Sequence, residues 1–138
     1  MTNTRLGLID TNALILLEHL DPDTLPEEPV ISAITLAELS AGPLVAVDEL
    51  ERAARQARLQ EAEAVFEPSP FDAPAARAFG QVAAALRRWG RKPEARALDA
   101  LIAATAIANG RDLYTCNPKD YTEIDDLTLI AIPHPDDT

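Results

Sequence analysis

The stretch Leu6-Gly7-Leu8-Ile9-Asp10-Thr11-Asn12 constrains this chain most. An apolar run ends abruptly in a carboxylate, a hydroxyl and an amide, and the helical apolar pattern Leu14, Ile15, Leu17 follows at once. That is the pattern of a buried parallel strand delivering polar groups to its carboxyl end before the chain turns into a helix. In open α/β sheets the functional crevice lies along those carboxyl ends. Asp10 and Thr11 are equally good N-cap residues for the following helix, so this stretch alone leaves cap and site open.

Further along, the apolar run Val30 to Ile34 predicts a second strand, and Thr35 to Leu39 a helix that Gly42-Pro43 breaks. Val47 to about Phe66 is rich in strong helix formers and carries Arg52, Arg55, Gln56 and Arg58 close together. Phe66 to Pro70 interrupts, with room for a short strand. Asp72 and Pro74 then suit the cap and first turn of a helix whose apolar stripe is Phe79, Val82, Leu86 and Trp89, closed by Gly90. The next helix, about Pro93 to Asn109, is apolar nearly all round and belongs inside, with Gly110 as its C-cap. Leu113 to Cys116 and Leu127 to Ile132 predict the last two strands. Strands alternating with helices in this order indicate an α/β fold with a mainly parallel sheet covered on both faces. A chain of 138 residues fits one domain, 1–138, with a loosely packed polar tail from about 133.

Four carboxylates stand out against this frame. Asp10 ends the first strand, Glu38 lies one turn into the helix after the second, Asp99 interrupts an apolar helix, and Asp120 follows the strand at Leu113. Each has a bland reading: Thr35 and Glu38 have capping-box spacing, Asp99 could cap an internal helix boundary or pair with Arg96, and Asp120 sits in a turn marked by Pro118. Separately those readings suffice, but they do not explain why carboxylates return to one edge of the sheet. Clustered oxygen donors suit Mg²⁺ or Mn²⁺, and one or two such ions can activate water and orient a phosphodiester. Thr11, Asn12, Thr115 and Asn117 are neutral groups at the same strand ends, suited to supporting or substrate hydrogen bonds.

At these positions the sequence resembles the PIN-domain nucleases. The blocks are Ile9 to Asn12, Ile34 to Leu39, Asp99 to Ala106 and Tyr114 to Tyr121, in order and at the spacing of a short PIN domain. The nearest likeness is to the VapC-type toxins of bacterial toxin–antitoxin modules. The resemblance implies a three-layer α/β/α sandwich and Mg²⁺- or Mn²⁺-dependent endoribonuclease activity with one or two ions per site. It implies Asp10 and Asp99 as principal metal ligands, Glu38 completing the site or helping to activate water, and Asp120 ligating directly or through water. An amide at Asn117, where some family members carry a carboxylate, leaves the fourth charge to Asp120. Homodimers and a cognate antitoxin follow from the same resemblance, with the helices from Val47 to Gly90 as the contact surface.

The formal net charge of −11 argues against a broad nucleic-acid footprint, yet nine of the twelve basic residues fall between Arg52 and Arg96. Arg87, Arg88, Arg91 and Lys92 cluster around one helix end and are the candidate RNA contacts. Solvated helix surface is the competing reading. The single Cys116 excludes an intramolecular disulfide, and no apolar run reaches the roughly 18 residues of a membrane span. With no signal-peptide pattern at the start, a cytoplasmic protein is expected. Two other classes fit less well: a non-catalytic PIN-like module that binds protein or RNA, and a phosphate-transfer protein using Asp10, which lacks a second aspartate two residues on.

Overall fold

The computed structural model describes residues 6–92 and 96–136. Its centre is a four-stranded, all-parallel sheet built from β1 (Leu6–Ile9), β2 (Glu28–Val30), β3 (Asp112–Thr115) and β4 (Leu129–Ala131). The order across the sheet is β2-β1-β3-β4. The chain moves from β1 to the β2 side, then returns to place β3 on the other flank of β1. The cleft between the carboxyl ends of β1 and β3 is therefore the point where the winding reverses.

Alternation along β1 sends neighbouring side chains to opposite faces. Leu8 joins a buried cluster with Val82 and Leu86 of α4 (Ala73–Arg88) and Ile102 and Ala103 of α5 (Ala97–Ala108). Ile9 joins a second cluster with Ala13 and Leu14 of α1 (Thr11–Ile15), Leu39 of α2 (Ala33–Ala41) and Ala62 of α3 (Glu49–Val65). Helices thus cover both faces, the three-layer α/β/α arrangement that the strand-helix alternation predicts. Truncating a fully buried side chain such as Leu8 or Ile102 to alanine costs about 2–5 kcal/mol.

Local chemistry sets the helix boundaries. Asp48 and Asp72 cap α3 and α4, their Oδ1 atoms accepting from Glu51 N at 2.8 Å and Ala75 N at 3.2 Å. Gly90 and Gly110, both at positive φ, end the turns after α4 and α5. There Arg91 N and Arg111 N reach back to the carbonyls of Leu86 and Ala106. The expected internal helix is α5, buried from Ile102 to Ala106; the part of its expectation at 93–95 lies outside the described residues.

Several boundaries differ from expectation. The second strand lies earlier than Val30 to Ile34: β2 is Glu28–Val30, and Ser32 is already the cap of α2. Pro29 is tolerated because β2 is an edge strand, where a missing N–H leaves no neighbour unpaired. The helix after Asp10, expected from its sequence to run through about Glu18 or Leu20, ends at Ile15 before a 3-10 turn at Leu17–His19. The short strand considered in Phe66 to Pro70 reduces to one parallel bridge, Ser69 with Ser32. Trp89 leaves the apolar stripe and is 64% exposed, because its backbone has already departed from helical geometry. No helix among the described residues is long and apolar enough to cross a membrane.

Candidate active site

Asp10 is the residue on which the site and the fold converge. It follows β1, is 5% exposed, and its two carboxylate oxygens have different duties. Oδ1 accepts from Ala13 N at 2.9 Å and so caps α1. Oδ2 accepts from Thr115 Oγ1 at 2.6 Å and from the Tyr121 hydroxyl at 3.1 Å. Of the two readings open in the sequence, the cap is made by this side chain, and its second oxygen faces the candidate site. Thr115 is itself held by its place at the end of β3, its Oγ1 also accepting from Asn117 N at 3.0 Å.

Asp99 lies in the first turn of α5 and is half-buried. Its Oδ1 accepts from Tyr121 OH at 3.3 Å, so one phenol stands between two carboxylates. Burial pushes the Asp99 carboxyl above its ordinary pKa, and the charges of Asp120 and Asp10 push it further. The Tyr121 hydrogen bond opposes this, and Glu38 adds a smaller upward contribution. All four carboxylates therefore share one field. Tyr121 is almost fully buried, and both burial and the flanking carboxylates hold its phenol far above its ordinary pKa. It stays a neutral donor.

Glu38 reaches the same edge from α2. The capping-box spacing with Thr35 is a coincidence of sequence: Ser32 is the actual cap, accepting from Thr35 N at 3.1 Å. Glu38 is instead the end of a chain of hydroxyls. Thr11 Oγ1 donates to Glu38 Oε1 at 2.7 Å, leaving its own lone pairs for the Thr35 hydroxyl at 3.0 Å. Ser32 Oγ in turn donates to Thr35 Oγ1 at 3.4 Å. Thr11, Asn12 and Glu38 open onto a cavity of about 560 Å³ that continues past Arg55 and Arg58 of α3. Arg55 is engaged by Glu51 and the Gly42 carbonyl.

Asp120 closes a 3-10 turn at Pro118–Asp120 and is a third exposed. Its Oδ1 faces Arg96 Nη1 at 3.4 Å; Arg96 pairs with Asp120 and not, as its spacing suggests, with Asp99. Asn117 precedes that turn, and its carbonyl accepts from Asp120 N at 3.1 Å. Of the basic cluster, Arg88 faces Asp125 at 3.7 Å and Arg91 pairs with Glu123 at 2.9 Å. Burial raises the Glu123 carboxyl, but its own backbone N–H and Arg91 outweigh that and leave it below the ordinary value. Arg87 and Lys92 lie exposed at the same helix end.

The donor set is all oxygen, anionic and partly desolvated, which fits a hard divalent cation in type. Asp10 and Asp99 would hold it, with Asp120 and Glu38 at its margin. Among the described residues, no three His, Cys, Asp or Glu side chains already surround one ligating point. Tyr121, Thr11 and Arg96 each offset part of the carboxylate charge. Neither the contact of Tyr121 with the carboxylates nor the pairing of Arg96 with Asp120 is expected from the sequence. A phenol directly after Asp120 was the available signal for the first; only the fold identifies the second.

Comparison with known proteins agrees with this architecture. The PIN domain family model matches residues 8–127. Ribonuclease VapC5 of Mycobacterium tuberculosis is 32% identical over 134 residues, covering 95% of this chain and 96% of that protein. The crystal structure of VapBC-5, from a toxin–antitoxin family of the same organism, superposes with a TM-score of 0.80 at 30% identity, over 92% of this chain and 98% of that one. VapBC2 from Rickettsia felis, bound to a DNA fragment from its promoter, gives a TM-score of 0.73 at 26% identity, over 92% and 98%.

Proposed function

The chain belongs to the PIN-domain family, in its VapC branch, and on that footing we propose that it is a divalent-metal-dependent endoribonuclease, the toxin of a toxin–antitoxin pair. The observation that carries the reading is the crowding of carboxylates around Asp99. Asp120, Asp10 and Glu38, from three other segments, each raise the cost of charging Asp99 at the sheet's switch point. A structure gains nothing in stability from such crowding; a cation site does.

In this reading Asp10 and Asp99 are the principal ligands, and Asp120 joins them as its pairing with Arg96 loosens. A bound Mg²⁺ or Mn²⁺, one or two per site, would lower the pKa of water and neutralise charge building on the scissile phosphate. The chain's own part is orientation and proton transfer. Thr11 fixes Glu38 through Oε1, leaving Oε2 to take a proton from the attacking water. Successive donation from Ser32, Thr35 and Thr11 polarises that contact. Asn12, Thr115 and Asn117 position the ligands and the RNA. Arg87, Arg88, Arg91 and Lys92 contact RNA phosphates beside the loop carrying Asp120. An antitoxin and a second copy of the chain are the protein partners.

The test is cleavage of total cellular RNA by the purified chain in Mg²⁺ or Mn²⁺ against EDTA, with Asp99→Asn alongside. Asp99 is the better probe than Asp10, because Asp10 also caps α1. Metal-dependent cutting that disappears in the variant is expected. Cutting that persists in EDTA or in the variant overturns the mechanism. A folded, metal-loaded protein that cuts nothing makes this a binding module instead.

A further inference from the structure

We propose that Tyr121 is a positioning residue of the carboxylate site, its hydroxyl anchoring Asp10 and Asp99 from the core side so that their remaining lone pairs face a cation. This rests on the metal-dependent reading above. The geometry is specific. Tyr121 is 1% exposed and packed in the cluster that holds Leu8, Leu86 and Ile102. Its ring cannot swing without disturbing that cluster, so the oxygen at its tip is a fixed point.

A phenol has one proton, which it shares between Asp10 Oδ2 at 3.1 Å and Asp99 Oδ1 at 3.3 Å. An ionised carboxylate has about four acceptor positions. On Asp10, contacts from Ala13 N, Thr115 Oγ1 and Tyr121 OH occupy three, so the remaining direction is defined. On Asp99 Tyr121 is the one hydrogen-bond donor among the described residues that sets the rotation of the carboxylate, otherwise a half-exposed side chain at the start of α5. Without the hydroxyl, two like charges would face each other with no donor between them, and Asp99 would turn outward. Supporting donors of this kind orient metal ligands, and losing one costs about 10–100-fold in metal affinity.

The experiment is Mn²⁺ titration by calorimetry of the purified full chain and of Tyr121→Phe, with thermal unfolding of both in EDTA. The expected result is a dissociation constant for Mn²⁺ raised about tenfold or more in Tyr121→Phe, with the fold intact by circular dichroism. Unchanged Mn²⁺ affinity with only a lower melting temperature makes Tyr121 an ordinary core residue and overturns the proposal. Tighter Mn²⁺ binding overturns it too, since the hydroxyl would then compete with the cation. Wild-type protein that binds no Mn²⁺ ends the metal reading itself, a distinct failure that takes this inference with it. If Tyr121→Phe does not fold, fluorinated tyrosine at position 121 keeps ring and hydroxyl while changing donor strength. Affinity that follows donor strength supports the proposal, and affinity indifferent to it does not.

Discussion

Thr115 Oγ1 donates to Asp10 Oδ2 at 2.6 Å, joining the carboxyl ends of the two central strands across 105 positions of sequence. Both side chains are buried, so the bond is a charge-assisted one in a medium of low polarity. Thr115→Val keeps the shape and removes the donor. It should cost about 1.5–3 kcal/mol of metal-free stability, measured by urea unfolding in EDTA. A loss within error would mean that Asp10 finds a replacement donor.

Asp99 is a liability to the metal-free fold. Its folded pKa is raised, so its favourable contribution is complete below the ordinary carboxylate value and is lost as pH rises through the raised one. Asp99→Asn should therefore be more stable than the parent at neutral pH in EDTA, with the gain shrinking as pH falls toward 4. Thermal melts across pH read this directly. The same variant should lose about 100-fold or more in RNA cleavage.

Arg96 and Asp120 make a pair about one-third exposed, and solvent screening keeps its strength to about 0–1 kcal/mol. Arg96→Gln frees Asp120 and should tighten Mn²⁺ binding by no more than about fivefold. Weaker binding in calorimetry would show that Arg96 supports the site instead of competing within it.

Thr35→Val interrupts the hydroxyl chain that ends on Glu38 without touching any carboxylate. Cleavage should fall about tenfold through kcat, while Mn²⁺ affinity stays unchanged. Equal loss in both would place Thr35 among the groups that hold the metal.

Much of this was legible in the residues. Asp10 at the end of an apolar run, the buried helix carrying Asp99 and the turn carrying Asp120 are all where periodicity and turn chemistry place them. The errors have physical causes. Ile31 to Ile34 is apolar enough to read as strand, and Thr35 and Glu38 have capping-box spacing although Ser32 is the cap. Trp89 matches the stripe in spacing, but helical spacing ends with the helix. Tyr121 and Arg96 act across 22 to 111 positions, and no local pattern reports a contact of that range.

The hydrogen bond from Tyr121 to Asp10 spans 111 positions, and β3 must slot beside β1 before it can form. On a ribosome adding 5–20 residues per second, that is a wait on the order of ten seconds between the first carboxylate and the last of its donors. Throughout that interval the nascent chain carries Asp10 without the strand and phenol that give the cleft its shape. A cleft built this way takes its shape only after Tyr121 has been added to the chain.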